Sequence, residues 1–341
     1  MKPTMRAIAT SAAALVLAAG IGLAAATAPA RANEKVTIAI PANALLFAPL
    51  FIAHDAGLWA KQGLDVELPL IAGPGATNAV IAGSADFTSS GGGSMLRAAA
   101  RGQKLLAIAN TIDQLLVELV VSDAAIEKFG VKIDGDVESR VRSLKGMTIA
   151  VDTVNGLPHG YLRYIATKAG LDPETDVTVT AMQPPNMLAA LKSGAVDAFI
   201  FGAPFVELAV KGGGKVLIGN PIKDAPELNP FAYNLIVTKP DYCTAHAGVC
   251  EKLIAGLREA SRQMIENGDA MLEVLRPRFE RIPEDVLAAS FKSIAAATNP
   301  ELTVTAEAMK STEDYAVAAG MLKEDERTVP LSQLFTQDYT K

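Results

Sequence analysis

Histidine and cysteine are scarce, runs of basic residues are missing, and only one long apolar stretch occurs. Each shortage removes a class of function. The three histidines of this 341-residue chain, His54, His159 and His246, are scattered and show no metal-ligand spacing. Asp134-Gly135-Asp136-Val137-Glu138 has neither the glycine nor the terminal glutamate of a calcium loop. No metal and no other cofactor is expected. Gly92-Gly93-Ser94-Met95-Leu96 lacks the closing glycine of a nucleophile elbow. Gly91-Gly92-Gly93 and Gly212-Gly213-Gly214 have neither phosphate-loop nor dinucleotide spacing. The residues therefore point to no enzyme, and His54, beside Asp55 in a predicted helix, reads as structural. Lysine and arginine form no cluster, which excludes nucleic acid as a partner, because phosphates need clustered positive charge.

The one long apolar stretch opens the chain. Lys2 and Arg6 are followed by residues 7–28, rich in Ala, Leu, Ile and Val, then by Ala30-Arg31-Ala32 and the polar Asn33-Glu34-Lys35. A basic start, an apolar middle and a small-x-small site are the layout of a secretory signal peptide, 1–32, with cleavage after Ala32. A membrane anchor is the alternative, since the stretch is long enough to span, but its Ala and Gly content favours cleavage. No cysteine stands near the site to carry a lipid. Without Lys2, Arg6 and Arg31 the mature chain has 28 basic against 37 acidic side chains, a formal −9. The two cysteines, Cys243 and Cys250, lie seven positions apart. In an oxidising compartment they are expected to form a disulfide, two unrelated thiols being the alternative.

What remains is a repeating alternation of strands and helices. Strands are predicted at 36–40, 64–70, from 86 and at 104–109, with helices at 49–61, ending at Gly83, and at 94–101. The order then returns: a strand at 147–151, a helix at 158–168 and a strand at 215–218. Gly194-Ala195-Val196-Asp197 echoes Gly83-Ser84-Ala85-Asp86, and Lys215-Val216-Leu217-Ile218 echoes Lys104-Leu105-Leu106-Ala107, both at an offset of 111. The glycines suit helix ends, which need positive φ, and Asp86 and Asp197 are expected to satisfy turn amides. Alternation of this kind predicts two α/β lobes, each a mostly parallel sheet flanked by helices. Lobe I takes residues 33–112 and 235–341, and lobe II takes 113–234. The crossings lie near 110–118 and 220–235, the second marked by Pro221, Pro226 and Pro230. Val249, Leu253, Ile254, Leu257, Met264 and Ile265 share one helical face that should complete lobe I.

Ligands of open α/β sheets bind beyond the carboxyl ends of the strands. Here those positions are 42–47, 72–75, 89–93 and Asn110 in lobe I, and 152–159, 183–185 and 201–203 in lobe II. Asn43, Phe47, Ser89, Ser90, Gly91, Gln114, Asn155, His159 and Phe201 are the candidate ligand contacts. Pro49, Pro74, Pro158, Pro185 and Pro204 mark helix starts, where the missing N–H costs nothing. Several helix amino ends should therefore face one cleft, a setting for an anion. His159 would either donate to that anion as imidazolium or shape the pocket as a neutral ring.

Four motifs carry a resemblance: Ala56-Gly57-Leu58-Trp59 through Gly63-Leu64-Asp65-Val66; Ala82-Gly83-Ser84-Ala85-Asp86-Phe87; Leu144-Lys145-Gly146-Met147-Thr148-Ile149-Ala150-Val151; and Ala189-Ala190-Leu191-Lys192-Ser193-Gly194-Ala195-Val196-Asp197-Ala198. Together they cover most of residues 36–240. In them the chain resembles the periplasmic substrate-binding proteins of ABC importers for nitrate, alkanesulfonates and taurine, a family that includes binders of thiamine-pyrimidine precursors. The resemblance implies a two-lobed periplasmic binding protein of type II, a Venus flytrap. It implies a small, anionic ligand between the lobes, an ABC permease in the inner membrane as partner, and action as a periplasmic monomer. The family's ligand-contacting turns match Ser89-Ser90-Gly91, the Asn155–His159 turn and Phe201-Gly202. Where the sulfonate branch has a Ser-Ser-rich turn, this chain has Val154-Asn155-Gly156-Leu157-Pro158-His159. The cysteine-rich motif of the pyrimidine-synthesising enzymes on this fold is absent. An exported enzyme or a ligand-presenting sensor module is the alternative.

Overall fold

The computed structural model describes residues 33–71, 74–219, 221–327 and 330–341. The signal peptide with its cleavage after Ala32, Ala72 and Gly73 of the candidate cleft, and Asn220 at the second crossing lie outside the described residues.

The described chain opens with β1 (Glu34–Ala39), α1 (Ala48–Asp55), α2 (Leu58–Lys61), β2 (Leu64–Glu67), α3 (Pro74–Ala82), β3 (Phe87–Ser90), α4 (Gly92–Ala100) and β4 (Leu106–Ile112). The predicted helix at 49–61 is thus split at Ala56 and Gly57. A second unit follows: β5 (Glu118–Val121), α5 (Asp123–Phe129), α6 (Val137–Arg142), β6 (Thr148–Val151), α7 (Leu157–Lys168), β7 (Thr178–Ala181), α8 (Pro184–Ser193), β8 (Ala198–Phe201), α9 (Phe205–Lys211) and β9 (Lys215–Ile218). The remainder is α10 (Pro221–Asp224), β10 (Asn234–Thr238), α11 (Tyr242–Ala245), α12 (Ala247–Glu266), α13 (Gly268–Leu275), α14 (Glu284–Ala296) and α15 (Ala306–Ala318).

Among the described residues the strands form two five-stranded sheets, ordered β2-β1-β3-β10-β4 and β7-β6-β8-β5-β9. In each, four strands run one way and the fourth in the order, β10 or β5, is antiparallel to both its neighbours. That reversed strand is the first to follow a crossing from the other lobe. The architecture is a two-lobed α/β fold, each lobe a mostly parallel sheet. Both faces of each sheet are covered, so its strands are apolar on both sides. Successive residues point to opposite faces: Ile38 enters the core under α1, α2 and α12, while Ala39 enters the core under α3 and α4. Ile149 and Ala150 divide in the same way in lobe II.

The repeat is carried by hydrogen bonds as well as by order. The Thr37 N–H donates to Asp86 Oδ2 at 2.8 Å, and the Thr148 N–H donates to Asp197 Oδ2 at 2.8 Å. Each carboxylate ties the start of one strand to its parallel neighbour. Each follows a helix-ending glycine at positive φ, +79° at Gly83 and +73° at Gly194. On α12, Val249, Leu253, Ile254, Leu257 and Met264 are buried in the lobe I core. Ile265 was expected on the same stripe but is 52% exposed; next to Met264, it is turned about 100° around the helix. Cys243 and Cys250 form a disulfide that joins α11 to the first turn of α12.

Candidate ligand cleft

The crossings form the floor between the lobes. Tyr233, just before β10, packs against the main core of each lobe. Its hydroxyl lies 3.4 Å from the carbonyl oxygen of Leu116 in the first crossing. Gly202, after β8, is pressed so close to that segment that a Cβ would sit 2.8 Å from the same oxygen. Gly91, after β3, would place a Cβ 3.6 Å from the Tyr233 carbonyl oxygen. The carboxyl ends of β3 in lobe I and β8 in lobe II therefore meet around Tyr233 and Leu116. Asp152, directly after β6, joins them. Burial pushes the Tyr233 hydroxyl well above its usual pKa, and the Asp152 charge adds to the shift.

The candidate contacts have varied surroundings. The Ser89 hydroxyl is fully buried and donates to Asn234 Oδ1 at 2.6 Å. Ser90 Oγ lies 3.2 Å from Thr77 Oγ1. Both hydroxyls are engaged inside lobe I, and Gly91 leads into α4. Phe47 is a core residue stacked edge-on against Phe51. Asn43 is exposed, with its amide donating to the Arg278 carbonyl at 3.2 Å. Gln114 is half-buried in the first crossing. Phe201 ends β8 and meets Phe205 edge-on.

Asn155 and His159 are brought together. The Asn155 N–H donates to His159 Nδ1 at 2.9 Å. A nitrogen that accepts cannot carry a proton, so the buried ring is the neutral Nε2–H tautomer. Burial lowers its pKa, the nearby Arg163 charge lowers it further, and Glu174 opposes weakly. Of the two roles open to His159, the neutral ring is the one this geometry favours. Asn155 itself has φ +61° and its Oδ1 accepts from Arg163 at 2.6 Å.

Several cleft groups were not on the candidate list. Asp152 and Asn110 fell within the strand-end turns, but nothing in their spacing singled them out. Tyr233, Glu207 and Arg97 carried no such signal. Arg97 is one turn along α4 from Gly93, and its Nη1 is enclosed without a partner. Burial lowers its pKa, with Arg101 adding to the effect.

The two flanks of the cleft differ. On one, α15 packs between α4 of lobe I and α7 of lobe II. The Tyr315 hydroxyl donates to the Leu157 carbonyl at 2.6 Å, and Thr312 Oγ1 accepts the Ala232 N–H at 2.9 Å. Gly160 has no room for a Cβ there: it would lie 2.5 Å from Met321 Sδ and 2.8 Å from the Tyr315 hydroxyl. This flank is buried and aromatic, with Phe231 and Tyr315 edge-on at 5.4 Å. On the other, α9 meets α14 through polar groups. Lys211 Nζ reaches both Asp285 oxygens, at 2.7 and 2.6 Å, with both side chains exposed. One turn earlier on α9, burial pushes the Glu207 carboxyl up, opposed by its own backbone N–H and by the Ser290 hydroxyl.

The profile of the NMT1-like family matches residues 31–271. The chain belongs to the NMT1-like family. This NMT1-like protein is 24% identical over 301 residues to a putative aliphatic sulfonates-binding protein of Bacillus subtilis strain 168, covering 81% of this chain and 84% of that one. It is 23% identical over 265 residues to the putative binding protein YtlA of the same organism, covering 76% and 75%. A shorter match, 34% identical over 76 residues, is to the nitrate import ATP-binding protein NrtC of Synechococcus elongatus, of whose length it spans 12%. Among solved structures, the periplasmic aliphatic sulphonate binding protein SsuA of Escherichia coli superposes with a TM-score of 0.68 at 20% identity, covering 86% of this chain and 92% of that one. The nitrate-binding protein NrtA of Synechocystis PCC 6803 superposes with a TM-score of 0.58 at 19% identity, covering 74% and 69%. The fold is that of the periplasmic binding proteins.

Proposed function

We propose that this protein is the solute-binding component of an ABC importer, working in the periplasm and delivering a small solute to an inner-membrane permease. The observation that carries the reading is the meeting of the β3, β6 and β8 ends of two lobes around Tyr233, in a chain of the NMT1-like family. Relatives named for binding sulfonates and nitrate support it. An acidic group on the solute fits the helix amino ends. α4 and α7 begin at Gly92 and Leu157 with no side-chain cap and no acidic residue in the first turn; the Gly92 N–H already donates to the Ala232 carbonyl at 2.9 Å, so the amides of Gly93 in α4 and Leu157 in α7 are the ones that suit an anion. His159, as a neutral ring, adds no charge there. The asymmetric flanks support closure by hinging: α15 holds the lobes on one side and the α9–α14 contacts meet at the mouth. The protein is not expected to turn its ligand over.

The test is native mass spectrometry of the full exported protein, searching for a stoichiometric small molecule, followed by small-angle scattering with and without it. A ligand that leaves unchanged and contracts the radius of gyration is the expected result. Conversion of the bound molecule to product would move the reading to the exported-enzyme alternative.

A further inference from the structure

We propose that shutting the two lobes takes up a proton, received by Glu207 on α9, while Lys211 exchanges one carboxylate partner for another as the flank opens and shuts. The proposal rests on the hinged, solute-binding reading above and adds a regulation to it. It starts from the α9–α14 flank, where lobe II touches lobe I. Ala203, just before α9, packs against the main core of lobe I. Lys211 Nζ is held across the gap by both oxygens of Asp285. Glu207, one turn earlier, faces the same helix. Its Oε2 and the Ser290 hydroxyl on α14 are each enclosed without a hydrogen-bond partner.

The spacing of these groups defines what happens when the flank parts. Glu207 and Lys211 stand at i and i+4 on one helix with the acid nearer the amino end, the order in which such side chains pair best. Here the ammonium reaches across to Asp285 instead, and the carboxyl is left against α14 with no cation. Glu207 lies in the first turn of α9, a place that favours a carboxylate in water. Its own backbone N–H and Ser290 favour the charge, but burial outweighs both. The elements packed against α9 carry Lys192 on α8, Glu118 on β5, Lys215 on β9, and Glu284, Asp285 and Lys292 on α14. None of these is among the groups acting on Glu207. Enclosing a carboxylate with no counter-charge is costly, and the neutral acid avoids that cost. Opening returns the carboxyl to water and frees Lys211 to pair with it. The shut flank therefore binds more protons than the open one, so acid favours closure and base favours opening. The ratio of shut to open falls by up to about tenfold per pH unit between the open-state and shut-state pKa values of Glu207, and is level outside them.

Pulsed electron resonance on the full mature protein without ligand tests this. Spin labels at Lys61→Cys on α2 and Lys192→Cys on α8, exposed positions in different lobes, report the spacing. The native cysteines are joined to each other and take no label. Between pH 4 and 8 the ratio of the long to the short spacing should rise about tenfold or more with the steepness of a single proton, around a midpoint above the ordinary 4.5 of a glutamate. Glu207→Gln should stay shut with no pH response, and Asp285→Asn should be more open at every pH while keeping the response. Glu207→Gln retains Asp113 and Asp152, the other cleft-floor carboxyls that burial raises, so a response that survives in it is theirs and overturns the proposal. A spacing constant with pH when Glu207 is present, opening that grows in acid, or Asp285→Asn no more open than wild type would each overturn it too. Failure of the wider reading is distinguishable: a pH-insensitive spacing that still shortens with ethanesulfonate or nitrate would keep the solute-binding function and remove the proton coupling.

Discussion

The ion pair between Arg140 and Asp224 offers a sharp test of how lobe II is tied to the second crossing. Arg140 projects from α6. Its Nη2 donates to Asp224 Oδ1 at 2.8 Å, its Nη1 to Asp224 Oδ2 at 3.1 Å, and its Nε to the Gly135 carbonyl at 3.0 Å. The Gly219 N–H donates to Asp224 Oδ2 at 2.6 Å. The pair side chains are only 10% and 3% exposed. Replacing Asp224 with Ala leaves a guanidinium buried without its counter-charge and an amide without its acceptor. Breaking one side of such a pair costs about 3–5 kcal/mol, a fall in unfolding temperature on the order of 10 °C for a chain of this size. Circular dichroism during urea and thermal unfolding at pH 7 measures it. Arg140→Met with Asp224→Leu should recover much of the loss, because an apolar pair avoids the desolvation. The pH dependence has a defined sign. Burial raises the Asp224 carboxyl, but the Arg140 hydrogen bonds, the Gly219 N–H and the Arg140 charge outweigh it, so its pKa falls below the ordinary 3.8. Its contribution is present above 3.8 and lost as pH falls through the lower folded value. A loss under about 1 kcal/mol in Asp224→Ala, or one that does not shrink at acid pH, would refute the reasoning.

Gly160→Ala should destabilise the protein by about 1–3 kcal/mol through overpacking against Met321 and Tyr315, read as a lower urea midpoint; an unchanged midpoint would mean that α15 does not clamp α7. Glu207 has a raised pKa, so the stability it contributes is present at acid pH and lost as pH rises through its folded value. Wild type should therefore lose stability relative to Glu207→Gln between pH 4 and 8, and a constant difference would count against burial of this carboxyl at the lobe contact. Intact-mass analysis after alkylation without reductant should find no reactive thiol at Cys243 or Cys250. Reduction should cost about 2–3 kcal/mol for so short a loop, measured by urea unfolding with and without reductant.

The lobes were legible because their determinants are local and repeated. The 111-residue spacing of Gly83 and Asp86 to Gly194 and Asp197 marks the same strand tie in each. The direction of β5 and β10 was not legible, since a short apolar run such as Glu118–Val121 has no orientation of its own. Side-chain availability was hidden for a different reason. Ser89 looks like a free hydroxyl at a strand end, but its acceptor, Asn234, is 145 residues away. Asp152 stood in a named turn, yet what distinguishes it from Asp86 is that its Oδ1 is enclosed without a partner and its help comes only from Thr153 and its own backbone, which only packing reveals. His159 was placed correctly at the start of α7, and its ionisation follows from the Asn155 N–H that points at it.

The exchange of reversed strands has a consequence for how the chain becomes a protein. A chain synthesised amino end first has every strand of the second sheet in hand once Ile218 has been added. The first sheet, begun nearly two hundred residues earlier at Glu34, still lacks the strand that joins β3 to β4 until Asn234–Thr238 arrives. The lobe that starts first is therefore the one that must wait. Its β4 stays unattached to β3 while the later lobe can already close, and α15, which needs both, is the last α-helix to be made among the described residues.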